Sequence, residues 1–89
     1  MSAPDSAGHG PIDFSTFVLS LGTSALVQLG EAPVPGGDQI ERDVEGARQT
    51  IDILVMLEGK TAGNLSEQEA SLLRNLLTDL RLRYVRANK

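Results

Sequence analysis

The stretch Leu65-Ser66-Glu67-Gln68-Glu69 carries the clearest local signal in the chain and opens the third of three predicted helices. Ser66 is a good N-cap, and Glu69 completes a capping box in which each side chain accepts a hydrogen bond from the other's backbone N–H. Apolar residues then recur at helical spacing, which predicts a helix over about 67–87. Its inward face is expected to contain Leu72, Leu73, Leu76, Leu77, Leu80, Tyr84 and Val85.

Upstream, a second helix is predicted over about 39–62. Asp38 and Glu41 form the carboxylate variant of a capping box. Apolar residues follow at a and d heptad spacing, namely Ile40, Val44, Ala47, Ile51 and Leu54. The run 51–57 is apolar on almost all sides and rich in β-branched residues, so a short buried strand is the alternative. A helix is preferred because no breaker separates this run from the helical pattern before it.

The first helix is predicted over about 14–29, with Asp13 as N-cap and Gly30 as the closing residue. One face has Phe14, Phe17, Val18, Leu21, Ala25 and Leu29 at helical spacing. No charged residue occurs between Asp13 and Glu31, and serine and threonine occupy the opposite side. We therefore expect a helix with few fully solvated sides.

These elements predict an all-α fold in a single helical domain over 13–89. Residues 1–12 have no apolar periodicity and are expected to form a disordered tail. Residues 30–37, with two prolines, form a linker. The short connection before the third helix favours a long antiparallel helical hairpin, with the shorter N-terminal helix across it. The helices have more apolar sides than one small chain readily buries, which favours a dimeric helical bundle.

Four segments resemble a small bacterial family of unknown function, the domain numbered eighteen forty-four. They are residues 13–30, Ala47-Arg-Gln-Thr-Ile-Asp-Ile-Leu54, Lys60-Thr-Ala-Gly-Asn-Leu65 and Asp79-Leu-Arg-Leu-Arg-Tyr84. The resemblance covers nearly all of the chain after the tail. It implies a bacterial, short, helical, stand-alone protein and supplies no activity, cofactor or catalytic residue.

The composition excludes most enzyme classes. The 89 residues include no cysteine, one histidine and three aromatic residues, so thiolate sites, multi-histidine metal sites and base-stacking platforms are excluded. We predict no catalytic, metal or cofactor-binding residue and no enzyme activity. An enzyme that uses carboxylates alone is the remaining catalytic alternative.

Asp52 is expected to be exposed and paired with Arg48, or else presented to a partner. Gly59-Lys60-Thr61 is interpreted as a helix end rather than a phosphate loop.

Charge is distributed unevenly along the chain. Residues 1–80 contain twelve acids and four bases, a net of -8, whereas the last nine residues have a net of +4. Arg81, Arg83 and Arg86 are therefore candidates for an electrostatic contact, although a helix C-terminus favours cations in any case. Nucleic-acid binding and membrane-surface binding are the alternatives, and the acidic body favours neither.

The function that these patterns favour is protein–protein interaction. We expect a non-enzymatic helical adaptor or regulatory subunit that forms a homodimer and binds an unidentified protein partner. The candidate interface contains Phe14, Phe17, Val18, Leu21, Ile53, Met56 and Leu57. The alternative is a regulator of a nucleotide-dependent switch such as a small GTPase, acting through the acidic residues Glu41, Asp43 and Glu45. Without a signal-peptide pattern, the expected location is cytoplasmic.

Overall fold

Three α-helices account for the regular structure of the residues described here. The computed structural model describes residues 12–34, 36–37 and 40–88. The helices are α1 (Phe14–Gln28), α2 (Val44–Lys60) and α3 (Glu67–Ala87), and no strand occurs within these described ranges. The all-α prediction is confirmed, and the short strand considered for 51–57 is helix. Most of the predicted tail and the predicted cap Asp38 lie outside the described residues.

Local capping starts α1 and α3 where the sequence predicts. The Asp13 carboxylate accepts a hydrogen bond from the Thr16 N–H at 2.8 Å. In the capping box of α3, the Glu69 N–H donates to Ser66 Oγ at 3.1 Å and the Ser66 N–H donates to the Glu69 carboxylate at 2.8 Å. Each bond satisfies a backbone donor that the first helical turn leaves without a partner.

Gly30 ends α1 in a left-handed conformation, with φ of 80°. Its N–H donates to the Val27 carbonyl at 3.0 Å, and the Glu31 N–H reaches back to the Leu26 carbonyl at 2.8 Å. This pair of bonds is a Schellman motif, for which glycine is preferred because it has no Cβ to strain at positive φ.

The predicted start of α2 is wrong by five residues. The helix begins at Val44, and Asp43 is its N-cap, with the carboxylate accepting from the Gly46 N–H at 3.0 Å. The Asp43 N–H itself donates to the Gln28 carbonyl at 2.7 Å, which ties the chain to the end of α1 before α2 begins. Ile40 is accordingly 60% exposed and outside any helix, so it is not part of the heptad stripe.

All three helices contribute to one apolar core. Its buried members are Val18, Ala25, Leu29, Ala47, Ile51, Leu54, Leu73, Leu77 and Leu80. Leu72, Leu76 and Tyr84 pack against this core while partly exposed. Val85, which the pattern placed inward, is 60% exposed. It lies 5 residues beyond Leu80, which turns it well away from the core-facing row.

Close backbone approaches fix how the helices pack. A Cβ built at Gly22 of α1 would lie 2.9 Å from both Cδ atoms of Leu76, so the backbone of α1 packs closely against this side chain of α3. Arg42, just before α2, donates from Nη2 to the Ala87 carbonyl at 2.8 Å. The start of α2 therefore lies beside the end of α3.

Candidate interaction surface

A hydrogen bond between two side chains marks where α1 packs on α2. Thr50 Oγ1 donates to Gln28 Oε1 at 2.7 Å, which places the end of α1 beside the first half of α2. Residues spaced by four, three and four lie on one side of a helix. On α1 the row through Gln28 also contains Phe17, Leu21 and Ser24, and on α2 the row through Thr50 also contains Gly46, Ile53 and Leu57.

The outer part of this junction is apolar and exposed. Phe17 is 40% exposed, Ile53 is 41% exposed, and Met56, on the neighbouring row of α2, is 50% exposed. Phe17 lies in the row of Gln28 and Ile53 in the row of Thr50, so helical spacing places each on the side of its helix that makes this hydrogen bond. We call this surface, made by Phe17, Leu21, Ile53, Met56 and Leu57, the α1–α2 edge.

The remaining two candidate interface residues have different environments. Phe14 is partly buried against the core, at the start of α1. Val18 is 0% exposed and belongs to the core itself, so it cannot contact a partner while this fold is intact. Val18 shares a helical stripe with Phe14 and Leu21, and apolar spacing alone does not distinguish the buried centre of such a stripe from its exposed margin.

The outward side of α1 carries no charge. Thr16, Leu19, Ser20 and Thr23 are exposed there, and Leu19 is 50% exposed. A shallow groove of about 230 Å³, lined by Thr23, Ser24, Val27 and Gln28, lies near the end of the helix. The expectation of a helix with few fully solvated sides is wrong for the single chain, because this uncharged side of α1 is exposed from Thr16 to Ser24.

Two acidic residues of α2 form ion pairs within their own helix. Arg48 contacts Glu45 at 2.5 Å and Asp52 at 3.0 Å. The Arg48 guanidinium lowers the pKa of the Glu45 carboxyl below its ordinary value, chiefly by hydrogen bonding to it. The predicted pairing of Asp52 with Arg48 is confirmed, and both side chains are largely exposed, as in surface ion pairs of small net stability.

The acidic helix invoked for a nucleotide-switch regulator does not form as predicted. Glu41 precedes α2, and the Asp43 carboxylate is engaged in capping the helix. Only Glu45 of the three lies within α2. These three carboxylates therefore do not line one helical face.

The three arginines near the end of α3 have different roles. Arg83 contacts Asp79 at 2.9 Å and Glu31 at 2.5 Å, and the Asp79 hydrogen bond is the main reason that the pKa of its guanidinium is raised. Arg83 thus joins α3 to the turn after α1. Arg81 and Arg86 are exposed. Their expected contact with a partner stays a prediction.

A polar cleft of about 470 Å³ lies at this end of the molecule. It is lined by Leu29, Gly30, Glu31, Arg42, Arg83, Arg86 and Ala87. Arg42 donates to the Ala87 carbonyl and Arg83 pairs with Glu31, so both cations are engaged in holding helix ends together. The helix C-termini at this place carry partial negative charge, which arginine neutralises. We interpret the cleft as structural.

The Gly59-Lys60-Thr61 motif is part of a helix end. Lys60 is the last residue of α2 and Thr61 is its C-cap, which confirms Gly59-Lys60-Thr61 as a helix end. Within the described ranges, no group of three or more acidic or histidine side chains is arranged to hold a metal ion. No helix in that part of the chain is long and apolar enough to cross a membrane.

α3 also carries an exposed apolar pair that the leucine pattern did not predict. Leu82 and Val85 are each 60% exposed on the outward side of α3. The signal was present, because Asn75, Thr78, Leu82 and Val85 repeat at spacings of three and four. The leucine row on the opposite side of α3 is the stronger pattern, and its leucines are the residues buried in the core.

The fold and its surfaces define a small all-α protein, with three helices in its described ranges and exposed apolar side chains on α1 and α2. A family model described as Domain of unknown function (DUF1844) matches residues 11–86. The chain belongs to this family, as the resemblance of its four segments predicted. No curated protein and no solved structure gave a significant match.

Proposed function

We propose that this chain is a non-enzymatic adaptor or regulatory subunit that acts by protein–protein interaction and associates with itself through the α1–α2 edge. The observation that supports this most is the exposure of Phe17, Ile53 and Met56, three apolar side chains that helical spacing places at or beside the α1–α2 junction. Clustered apolar side chains at a helix junction are typical of interaction sites, and buried aromatic residues often contribute most to binding.

Charge favours a second copy of the chain as the occupant of this edge. Each chain has a formal net charge of -4, so two copies repel each other at most orientations. All of α1 is uncharged, and Phe17, Leu21, Ile53, Met56 and Leu57 are uncharged as well. A two-fold symmetric contact brings the same patch of both copies together, which an uncharged apolar patch tolerates.

In this proposal, α2 and α3 form an antiparallel hairpin, and α1 lies against it and contributes half of the interface. The two edges bury Phe17 and Ile53 of both copies. The cytoplasmic location and the protein partner expected from the sequence stay predictions.

Light scattering coupled to size-exclusion chromatography tests the proposal. A single chain has a mass of 9.5 kDa, and we expect wild-type protein to approach twice that value as its concentration rises. Phe17→Asp and Ile53→Asp are each expected to give the single-chain mass, because each buries a carboxylate without a partner in the dimer.

Leu19→Asp is the matched control. Leu19 is 50% exposed on α1 but outside the row that faces α2, so this variant keeps the dimer. Circular dichroism confirms that each variant is folded. A wild-type protein with the single-chain mass at every concentration contradicts the proposal, and so does a Phe17→Asp variant with the mass of wild type.

A further inference from the structure

The arginines of this chain fall into two groups, according to whether the fold uses them. Arg42 donates to the Ala87 carbonyl, Arg48 pairs with Glu45 and Asp52, and Arg83 pairs with Asp79 and Glu31. Among the described residues, no ion pair forms at Arg74, Arg81 or Arg86, and all three are exposed. The three belong to α3.

These arginines flank a row of uncharged side chains on the outward side of α3. The row contains Asn75, Thr78, Leu82 and Val85, at spacings of three, four and three. Leu82 and Val85 are each 60% exposed at its end. By helical geometry Arg74 and Arg81 lie along one side of the row and Arg86 lies on the other. We call Arg74, Thr78, Arg81, Leu82, Val85 and Arg86 the α3 outer strip.

We propose that the α3 outer strip is a docking site for an acidic amphipathic helix of another protein. Heptad-type spacing is the pattern by which one helix packs along another, with charged residues on either side of the seam selecting the partner. Here the seam ends in Leu82 and Val85 and the flanking charge is positive. The complementary helix has apolar residues at its a and d positions and glutamate or aspartate beside them.

The helix dipole does not account for this arrangement. Cations in the last turn of a helix are favoured by its negative end, and this explains Arg86. Arg74 is in the first half of α3, beyond the reach of that effect. The dipole also gives no reason for Leu82 and Val85 to be exposed between the cations. A polyanion such as DNA would use the arginines and leave both apolar side chains uncovered, and it would meet the acidic body of the chain.

Fluorescence anisotropy with a synthetic peptide tests the proposal. The probe is a labelled helical peptide with leucine at its a and d positions and glutamate at its e and g positions. The matched probe has glutamine in place of the glutamates. We expect the full-length chain to bind the glutamate peptide at least about tenfold more tightly than the glutamine peptide, with binding that weakens as salt is added.

Variants of the chain locate the binding site. Arg81→Gln combined with Arg86→Gln, and separately Leu82→Asp, are each expected to weaken binding by about tenfold or more. Arg48→Gln is the control, because Arg48 is an exposed arginine of α2 outside the strip. Phe17→Asp is the second control, because it disrupts the α1–α2 edge and leaves the strip intact, so failure of one proposal is distinguished from failure of the other.

Three results overturn the proposal. The first is that wild-type protein does not bind the glutamate peptide, or binds both peptides equally. The second is that Arg48→Gln weakens binding as much as the strip variants do. The third is that vesicles of phosphatidylglycerol or a short DNA duplex bind the strip, with loss in the same variants, while the glutamate peptide does not.

Discussion

Thr50 and Gln28 join α2 to α1 through a hydrogen bond between side chains. Thr50 Oγ1 lies 2.7 Å from Gln28 Oε1 and also 3.1 Å from the Gly46 carbonyl oxygen. Thr50 is the one buried polar residue among those described, at 7% exposure. The backbone carbonyl of Gln28 also accepts a hydrogen bond from the Asp43 N–H. Gln28 therefore bonds to the N-cap of α2 through its backbone and to the second turn of α2 through its side chain.

Replacement of Thr50 by valine is expected to lower the free energy of unfolding by about 1–2 kcal/mol, because it leaves Gln28 Oε1 without its donor in a partly buried place. Urea denaturation measures the change. In the double variant with Gln28→Leu, both polar partners are absent, so the two losses are expected to be less than additive. Strict additivity, or no loss for Thr50→Val, would contradict a direct bond.

Asp43→Ala tests the observed start of α2. Loss of this N-cap is expected to cost about 1 kcal/mol in the free energy of unfolding. Glu41→Ala is the matched control, because Glu41 is exposed and precedes the helix. It is expected to change stability by less than about 0.5 kcal/mol. If Glu41→Ala costs as much as Asp43→Ala, the helix begins earlier than the structure shows.

Adding a side chain is expected to have opposite effects on stability at two glycines. Gly22→Val is expected to destabilise the fold by about 1–3 kcal/mol, because its side chain collides with Leu76 at the α1–α3 contact. Gly59 of α2 has open space around its Cβ position, so Gly59→Ala is expected to stabilise the fold by up to about 1 kcal/mol. Thermal melts followed by circular dichroism compare them. The assignment fails if Gly22→Val melts at or above the wild-type temperature.

The pKa of Asp13 makes the stability of α1 sensitive to acid. Hydrogen bonding from the Thr16 N–H lowers the pKa of this carboxyl below its ordinary value of 3.8. A group whose pKa is lower in the folded state stabilises the fold above its unfolded pKa, and this contribution is lost as the pH falls through its folded pKa. We therefore expect stability to decrease below about pH 4, with Asp13 among the causes.

Asp13→Asn isolates that contribution, because asparagine is also a good N-cap and does not titrate. The variant is expected to lose less stability than wild type between neutral pH and pH about 3, as measured by urea denaturation at each pH. An acid-induced loss equal to that of wild type would show that the Asp13 carboxylate does not contribute.

Helix starts could be predicted from sequence where the capping bonds are local. Asp13 and Ser66 each accept from a backbone N–H three residues ahead, so the signal is contained in four consecutive residues. Asp43 caps α2 through the same kind of local bond, from the Gly46 N–H, but its own N–H also donates to the Gln28 carbonyl. Fifteen residues separate these groups in the chain, so no local pattern distinguished Asp43 from the earlier Asp38.

The amino-acid sequence by itself determined the number of helices, their apolar sides and the excess of apolar surface, because these depend on periodicity and on residues adjacent in the chain. Only the tertiary structure decided which of those side chains are covered. Val18 is buried and Phe17 is exposed although the two are neighbours in α1, and Ile53 of α2 is exposed as well. Helical periodicity identifies a side of a helix, whereas burial depends on the distance to the neighbouring helices, which non-local contacts such as Thr50 to Gln28 set.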